Sequence, residues 1–179
     1  EGLFLHFSMV AKETDLPIVL YNVPSRTSIN MVPSTVARLS AVENIVGIKE
    51  ASGSLVQVSE IIASCGPDFT VISGEDALTW PILAIGGKGV ISVTANLVPD
   101  KFAKLCQAAR NGDVATAKAL HYELLQLNDI LFIETNPIPV KAALALMGRI
   151  ENEFRPPLCP PTEEHLKQLQ AVLHTHALV

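Results

Sequence analysis

Four short apolar runs, Ile18–Tyr21, Ile45–Ile48, Phe69–Ser73 and Val90–Thr94, alternate with helix-forming segments in the first half of the chain. Runs of this length with little polar alternation read as buried strands of a parallel sheet. Parallel neighbours need a crossover, and the stretches between the runs are long enough to supply helices. Repeated strand–loop–helix units restrict the fold class to α/β, either a doubly wound sheet or a closed barrel.

The intervening segments fit that plan. Residues 2–14 place Leu3, Phe4, Phe7, Val10 and Ala11 at helical spacing, and Asp15-Leu16-Pro17 ends the helix. Asn22–Thr27 is a polar loop with a proline–serine turn signal, and Pro33 suits the first turn of a helix running to about Ser40. Ser54 with Gln57 forms a capping box for a helix that buries Leu55, Val58, Ile61, Ile62 and Cys65 and stops at Gly66-Pro67. Asp76 is placed to cap a short helix over 77–85, which Pro81 should bend. Gly86-Gly87-Lys88-Gly89 lacks the full phosphate-loop spacing and reads as a tight helix-to-strand turn. After Asn96 the texture turns to helices alone, over 100–110, 114–128, 138–147 and 163–175, with Asp113 and Thr162 as N-caps. The expected division is therefore 1–98 and 99–179.

Composition excludes several classes. A chain of 179 residues that is 49% apolar can bury a real core. A net charge of −5 with no basic stripe argues against nucleic acid as the main partner. No apolar run approaches the roughly 20 residues that span a bilayer, so no membrane partner is expected. The chain opens at Glu1 without a basic region leading into an apolar one, so no signal peptide is expected. Cys65, Cys106 and Cys159 are odd in number and far apart; they form neither a disulfide framework nor a zinc site and suit a reducing cytoplasm. His6, His121, His165, His174 and His176 lie on helices, as surface or packing residues.

Chemistry in parallel α/β folds gathers at the carboxyl ends of the strands. Those ends carry Tyr21-Asn22, Lys49, Ser73-Gly74 and Thr94, with Arg26 in the loop after the first strand. Lys49 admits two readings. It can snorkel from the sheet end or pair with Glu50 or another carboxylate. It can also serve as an imine-forming nucleophile, because a poorly hydrated strand end disfavours the ammonium form and attack on a carbonyl needs the neutral amine. Tyr21 is either a cap on the core or a proton relay, and Arg26 either a solvated loop residue or a two-toothed clamp on a carboxylate. Taken jointly, the three describe cofactor-free chemistry on a 2-oxo acid.

Five motifs then carry a resemblance that runs over essentially the whole chain: Tyr21–Thr27, Gly47–Gly53, Ser73–Asp76, Gly89–Asn96 and Asn136–Lys141. In this order they resemble the dihydrodipicolinate synthase family, within the wider pyruvate-dependent class I aldolases and lyases. The resemblance implies a (β/α)8 TIM barrel followed by a helical C-terminal region, usually in a homotetramer. It implies that Lys49 forms an imine with pyruvate and that the enamine attacks L-aspartate 4-semialdehyde, giving 4-hydroxy-tetrahydrodipicolinate. Tyr21 would relay protons, Arg26 would hold the semialdehyde carboxylate, Ile91 would touch pyruvate, and the Gly74 backbone would meet the second substrate. Asn96, closing its motif, is placed with the substrate-binding residues.

The family's barrel has eight strands and needs about 250 residues in all; only four strands are legible here, expected to be the last four. The missing half would carry two threonines for the pyruvate carboxylate, a second relay tyrosine and a lysine feedback site. The alternatives are an aldolase for 4-hydroxy-2-oxoglutarate or a 2-keto-3-deoxy sugar acid, which has less need of a clamp at Arg26, and a non-catalytic half-barrel serving assembly.

Overall fold

All four apolar runs pair in one parallel sheet in the computed structural model, which describes residues 1–179. The strands are β1 (Ile18–Asn22), β2 (Ile45–Glu50), β3 (Thr70–Ser73) and β4 (Gly89–Val90), and they lie side by side in chain order. The helices are α1 (Gly2–Lys12), the single turn α2 (Pro24–Thr27), α3 (Pro33–Leu39), α4 (Leu55–Cys65), α5 (Thr79–Ala84), α6 (Pro99–Arg110), α7 (Val114–Ile130), α8 (Ile138–Leu146) and α9 (Glu163–Thr175). The chain divides into two compact units, Glu1–Ile91 and Ser92–Val179. No helix is long and apolar enough to cross a membrane.

In the first unit the strand register sorts the residues into two faces. Leu20, Ile48 and Val71 align across β1, β2 and β3, and all three are buried. They pack into one core with Ala11 of α1, Val36 and Leu39 of α3, Val58 and Ile61 of α4, and Ile82 of α5. Burying each of the valine, leucine and isoleucine side chains contributes about 1.5–3 kcal/mol, so this helix-covered face holds the unit together. On the other face Tyr21, Lys49 and Ile72 align in the next row. Val19 and Tyr21 remain 44% and 47% exposed there. The sheet is thus covered on one side only.

Several local expectations change. Ser54 does accept the Gln57 N–H at 3.1 Å, but the Gln57 amide reaches away to Glu50 and Asn30, so only half of a capping box forms. Asp76 lies inside a 3-10 turn, Asp76–Leu78, and Leu78 rather than Asp76 precedes α5. Pro81 falls in the first turn of α5, where its missing N–H would have no intrahelical partner, so it gives no reason for a bend. The loop after β1 contains the helical turn α2, closed by Ser28 in the left-handed region with φ 57°. The fourth strand spans only Gly89–Val90; Thr94 opens a 3-10 turn, Thr94–Asn96, in the second unit. Two strand residues leave only a short ladder, which an apolar run alone does not reveal.

The second unit is built from α6 to α9. Leu105 of α6, Leu124 and Leu127 of α7, Ala143 of α8, and Leu169 and Leu173 of α9 are buried. Asp113 and Thr162 act as the expected caps, accepting the backbone N–H of Thr116 and His165 at 3.0 and 3.2 Å. Glu134 accepts the Thr162 N–H at 2.9 Å and meets His165 Nδ1 at 2.7 Å. The Thr162 N–H first, and then His165, hold the Glu134 carboxyl below the usual carboxylate range.

Candidate active site

The carboxyl ends of β1, β2 and β3 bring Tyr21, Lys49 and Gly74 together. Tyr21 and Lys49 are direct partners across the parallel ladder. The Lys49 ammonium nitrogen stands 4.3 Å from the centroid of the Tyr21 ring, a cation–π distance. Lys49 is half-buried, so its stem is shielded while its nitrogen lies against an aromatic face. Lys49 and Glu50 are consecutive in β2 and therefore point to opposite faces. The ion pair with Glu50 that the sequence left open does not form.

Gly74 follows β3, and its N–H donates to the Glu50 carbonyl at 2.8 Å. A methyl group at Gly74 would come within 2.7 Å of the Ala51 Cβ and 3.1 Å of the Lys49 Cε. Glycine there leaves room for the lysine stem. Ile91 lies one residue beyond β4, its N–H donating to the Ser73 carbonyl at 3.0 Å. Strand alternation puts its side chain on the Lys49 face, and it is 51% exposed. Arg26 sits in α2 with an exposed side chain, and it takes no part in the ion pairs Arg38–Glu1, Lys101–Glu123 and His165–Glu134. Asn96 belongs to the second unit, where its side-chain amide donates to the Val93 carbonyl at 2.9 Å.

Directly behind this row lies a polar cluster that sequence reasoning missed. Asn22 and Glu50, the neighbours of Tyr21 and Lys49, pair in the next register row and are 2% and 1% exposed. Four contacts from N–H donors reach the two Glu50 oxygens. Asn22 Nδ2 lies 3.2 and 3.0 Å from Oε1 and Oε2, Ser52 N 2.6 Å from Oε1, and Gln57 Nε2 3.2 Å from Oε2. The one available signal was the period of two: if Lys49 faces outward, Glu50 must face the core and needs donors there. Its partners are remote in sequence, so local pattern does not name them.

Glu75 is half-buried in the turn after β3. Burial first, and then the neighbouring Asp76, push its carboxyl up from the ordinary value of 4.5. A raised folded-state value means that the ionised group destabilises the folded protein at neutral pH. Once the pH falls below 4.5 the group is protonated in folded and unfolded chains alike, and the penalty is gone. Glu75→Gln in the full-length protein should therefore raise the melting temperature at neutral pH by about 1–2 °C, a modest gain because solvent screens a half-exposed group. Below about pH 4 the gain should vanish. A pH-independent change in thermal unfolding would place the effect in packing instead.

A lysine amine on the open face of a parallel α/β sheet, set against a tyrosine at the strand ends, defines a candidate imine-forming site. The model of the Dihydrodipicolinate synthetase family matches residues 1–176, and the chain belongs to that family. It is 53% identical over 174 residues to the 4-hydroxy-tetrahydrodipicolinate synthase of Nitratidesulfovibrio vulgaris strain DP4, covering 97% of this chain and 60% of that protein. It is 52% identical over 179 residues to the synthase of the same name from Thermodesulfovibrio yellowstonii, covering 100% of this chain and 62% of that one. The crystal structure of dihydrodipicolinate synthase from Aquifex aeolicus superposes with a TM-score of 0.96 at 46% identity, covering 99% of this chain and 61% of that one. The chain thus spans about three fifths of the length of these relatives.

Proposed function

We propose that this chain is the carboxyl-terminal portion of a 4-hydroxy-tetrahydrodipicolinate synthase, a cytoplasmic lyase that is a homotetramer when whole. On this reading residues 1–98 are the last four βα units of a (β/α)8 barrel and residues 99–179 its helical region. The observation that carries the reading is the Lys49 nitrogen at the strand ends, 4.3 Å from the Tyr21 ring centroid, on the face the helices leave open. In a closed barrel that face would become the interior, where the site is shielded from bulk water.

The neutral Lys49 amine adds to the keto carbon of pyruvate, and loss of water gives the imine. Removal of a methyl proton converts the imine to an enamine. The enamine carbon bonds to the aldehyde carbon of L-aspartate 4-semialdehyde, whose oxygen takes up a proton through Tyr21. The amino group of the new chain then displaces Lys49 from the imine carbon, closing the ring and freeing the enzyme. Arg26 clamps the semialdehyde carboxylate, Ile91 contacts pyruvate, and the Gly74 backbone faces the second substrate. The chemistry needs no cofactor.

Treating the full-length enzyme with pyruvate and borohydride tests this directly. The peptide containing Lys49 should gain a reduced pyruvyl group; label on another lysine, with Lys49 unmodified, would overturn the assignment. Tyr21→Phe keeps the ring under the amine but removes the hydroxyl. Turnover should fall roughly 10²- to 10⁴-fold, the usual worth of a positioned proton-transfer group, with pyruvate affinity changing far less. Near-normal turnover would reduce Tyr21 to a packing role.

A further inference from the structure

The cluster behind Lys49 extends into the loop that carries Arg26. Asn22 occupies the last position of β1, and its Oδ1 accepts the backbone N–H of Met31 at 2.9 Å. The same side chain donates through Nδ2 to Asn30 Oδ1 at 2.8 Å. Asn30 and Gln57 bond reciprocally: Asn30 Nδ2 donates to Gln57 Oε1 at 2.8 Å, and Gln57 Nε2 to Asn30 Oδ1 at 3.1 Å. Gln57 stands in the first turn of α4 and reaches Glu50 as well. Residues 23–30 therefore start at a strand end and finish on a side-chain network anchored in β2 and α4.

The segment between those anchors has little else to hold it. The turn α2 buries none of its residues, and Ser28 closes it in a left-handed conformation that is costly for a residue with a Cβ. Ile29 and Asn30 are exposed by surface area, yet Asn30 is bonded on both its amide atoms. A loop with no buried side chain takes its position from its tethers. The tethers at its far end are the Asn30 side chain and the next residue, Met31, which is buried in the core and gives its N–H to Asn22.

We propose that Asn30 and Gln57 are positioning residues for recognition of the second, carboxylate-bearing aldehyde substrate, acting through the placement of Arg26. They touch no substrate themselves. The reciprocal amide pair fixes the end of the Arg26 loop to α4, whose Gln57 also bonds Glu50 beside Lys49, and so sets where a carboxylate can be held while its aldehyde carbon meets the enamine. This deepens the reading of Lys49 and Arg26 given above and rests on it. Asn30→Ala is the mildest disruption, because Asn22 and Gln57 both keep their bonds to Glu50.

A double-mutant cycle in the full-length enzyme tests it, with steady-state constants for both substrates in wild type, Asn30→Ala, Arg26→Ala and the double variant. Asn30→Ala should raise the KM for the semialdehyde about tenfold, with the pyruvate KM and the borohydride-trapped adduct at Lys49 changed less than about twofold. Arg26→Ala should raise the semialdehyde KM by about tenfold to a hundredfold. In the Arg26→Ala background, the Asn30 substitution should cost less than about twofold, since the group it positions is gone. Gln57→Leu, with thermal unfolding followed in parallel, should repeat the pattern should Asn30→Ala prove poorly folded. Full additivity of the two substitutions, or equal rises in both KM values, would overturn the proposal. Absence of any pyruvyl adduct on Lys49 in the wild type would instead overturn the reading on which it rests.

Discussion

Lys49→Ala in the full-length enzyme is expected to remove pyruvate adduct formation and lower turnover by on the order of 10⁴-fold or more, the scale seen when a covalent nucleophile is deleted. No other lysine can replace it from the same register row, whose members are Tyr21, Lys49, Ile72 and Gly89. The fold should survive. Lys49 lies on the open face of the sheet, so alanine removes a stem that packs against the Tyr21 ring rather than a member of the core. Retention of the melting temperature within a few degrees, beside lost turnover and lost borohydride trapping, is the expected combination. Cooperative unfolding at a much lower temperature would mean that Lys49 holds the sheet together, and the loss of activity would then say nothing about an imine.

Lys49→Arg separates charge from nucleophilicity. The guanidinium can stack on the Tyr21 ring as the ammonium does, but it stays protonated and forms no imine. It should be as inactive as alanine. An active Lys49→Arg would show that the residue contributes only positive charge.

What the sequence disclosed and what it hid follow from the range of the interactions involved. Ile18–Tyr21 and Ile45–Ile48 were legible as strands because apolar runs between helical segments are a local pattern. Lys49 was legible because a lysine next to Ile48 is anomalous wherever it falls. The strand's continuation through Glu50 was not legible, since a carboxyl is tolerated on the buried face only through donors from Asn22, Ser52 and Gln57. Asn22 lies 28 positions from Glu50, and Asn30 lies 27 from Gln57. No window of local periodicity connects them. Gln57 read as half of a capping box for the same reason: its local partner was visible, its tertiary ones were not. The fourth strand was overestimated because Ile91 and Val93 continue the apolar run, yet only Gly89 and Val90 are paired in register with β3.

The 179-residue chain produced on its own is expected to show no synthase turnover and not to persist as a monomer. Its sheet has two free edges, β1 and β4, each offering backbone N–H and C=O groups that no strand of the chain satisfies. The open face adds Val19 at 44%, Tyr21 at 47% and Ile91 at 51% exposure, an apolar surface where the relatives' length leaves room for more chain. Edges and patches of this kind recruit other copies. Turnover fails for a separate reason. On the function proposed above, the groups that would hold the pyruvate carboxylate lie in the part of the relatives' length that this chain does not span, and an unoriented substrate forfeits much of the several kcal/mol that positioning supplies. Sedimentation velocity should therefore give concentration-dependent association, with thermal unfolding broad rather than cooperative, and the coupled assay should read background. Adding the remaining two fifths of a relative as a separate chain should cover the edges and restore measurable activity. A monodisperse monomer of 19.2 kDa that unfolds cooperatively and condenses pyruvate with the semialdehyde would overturn both the barrel assignment and the placement of the missing carboxylate site outside this chain.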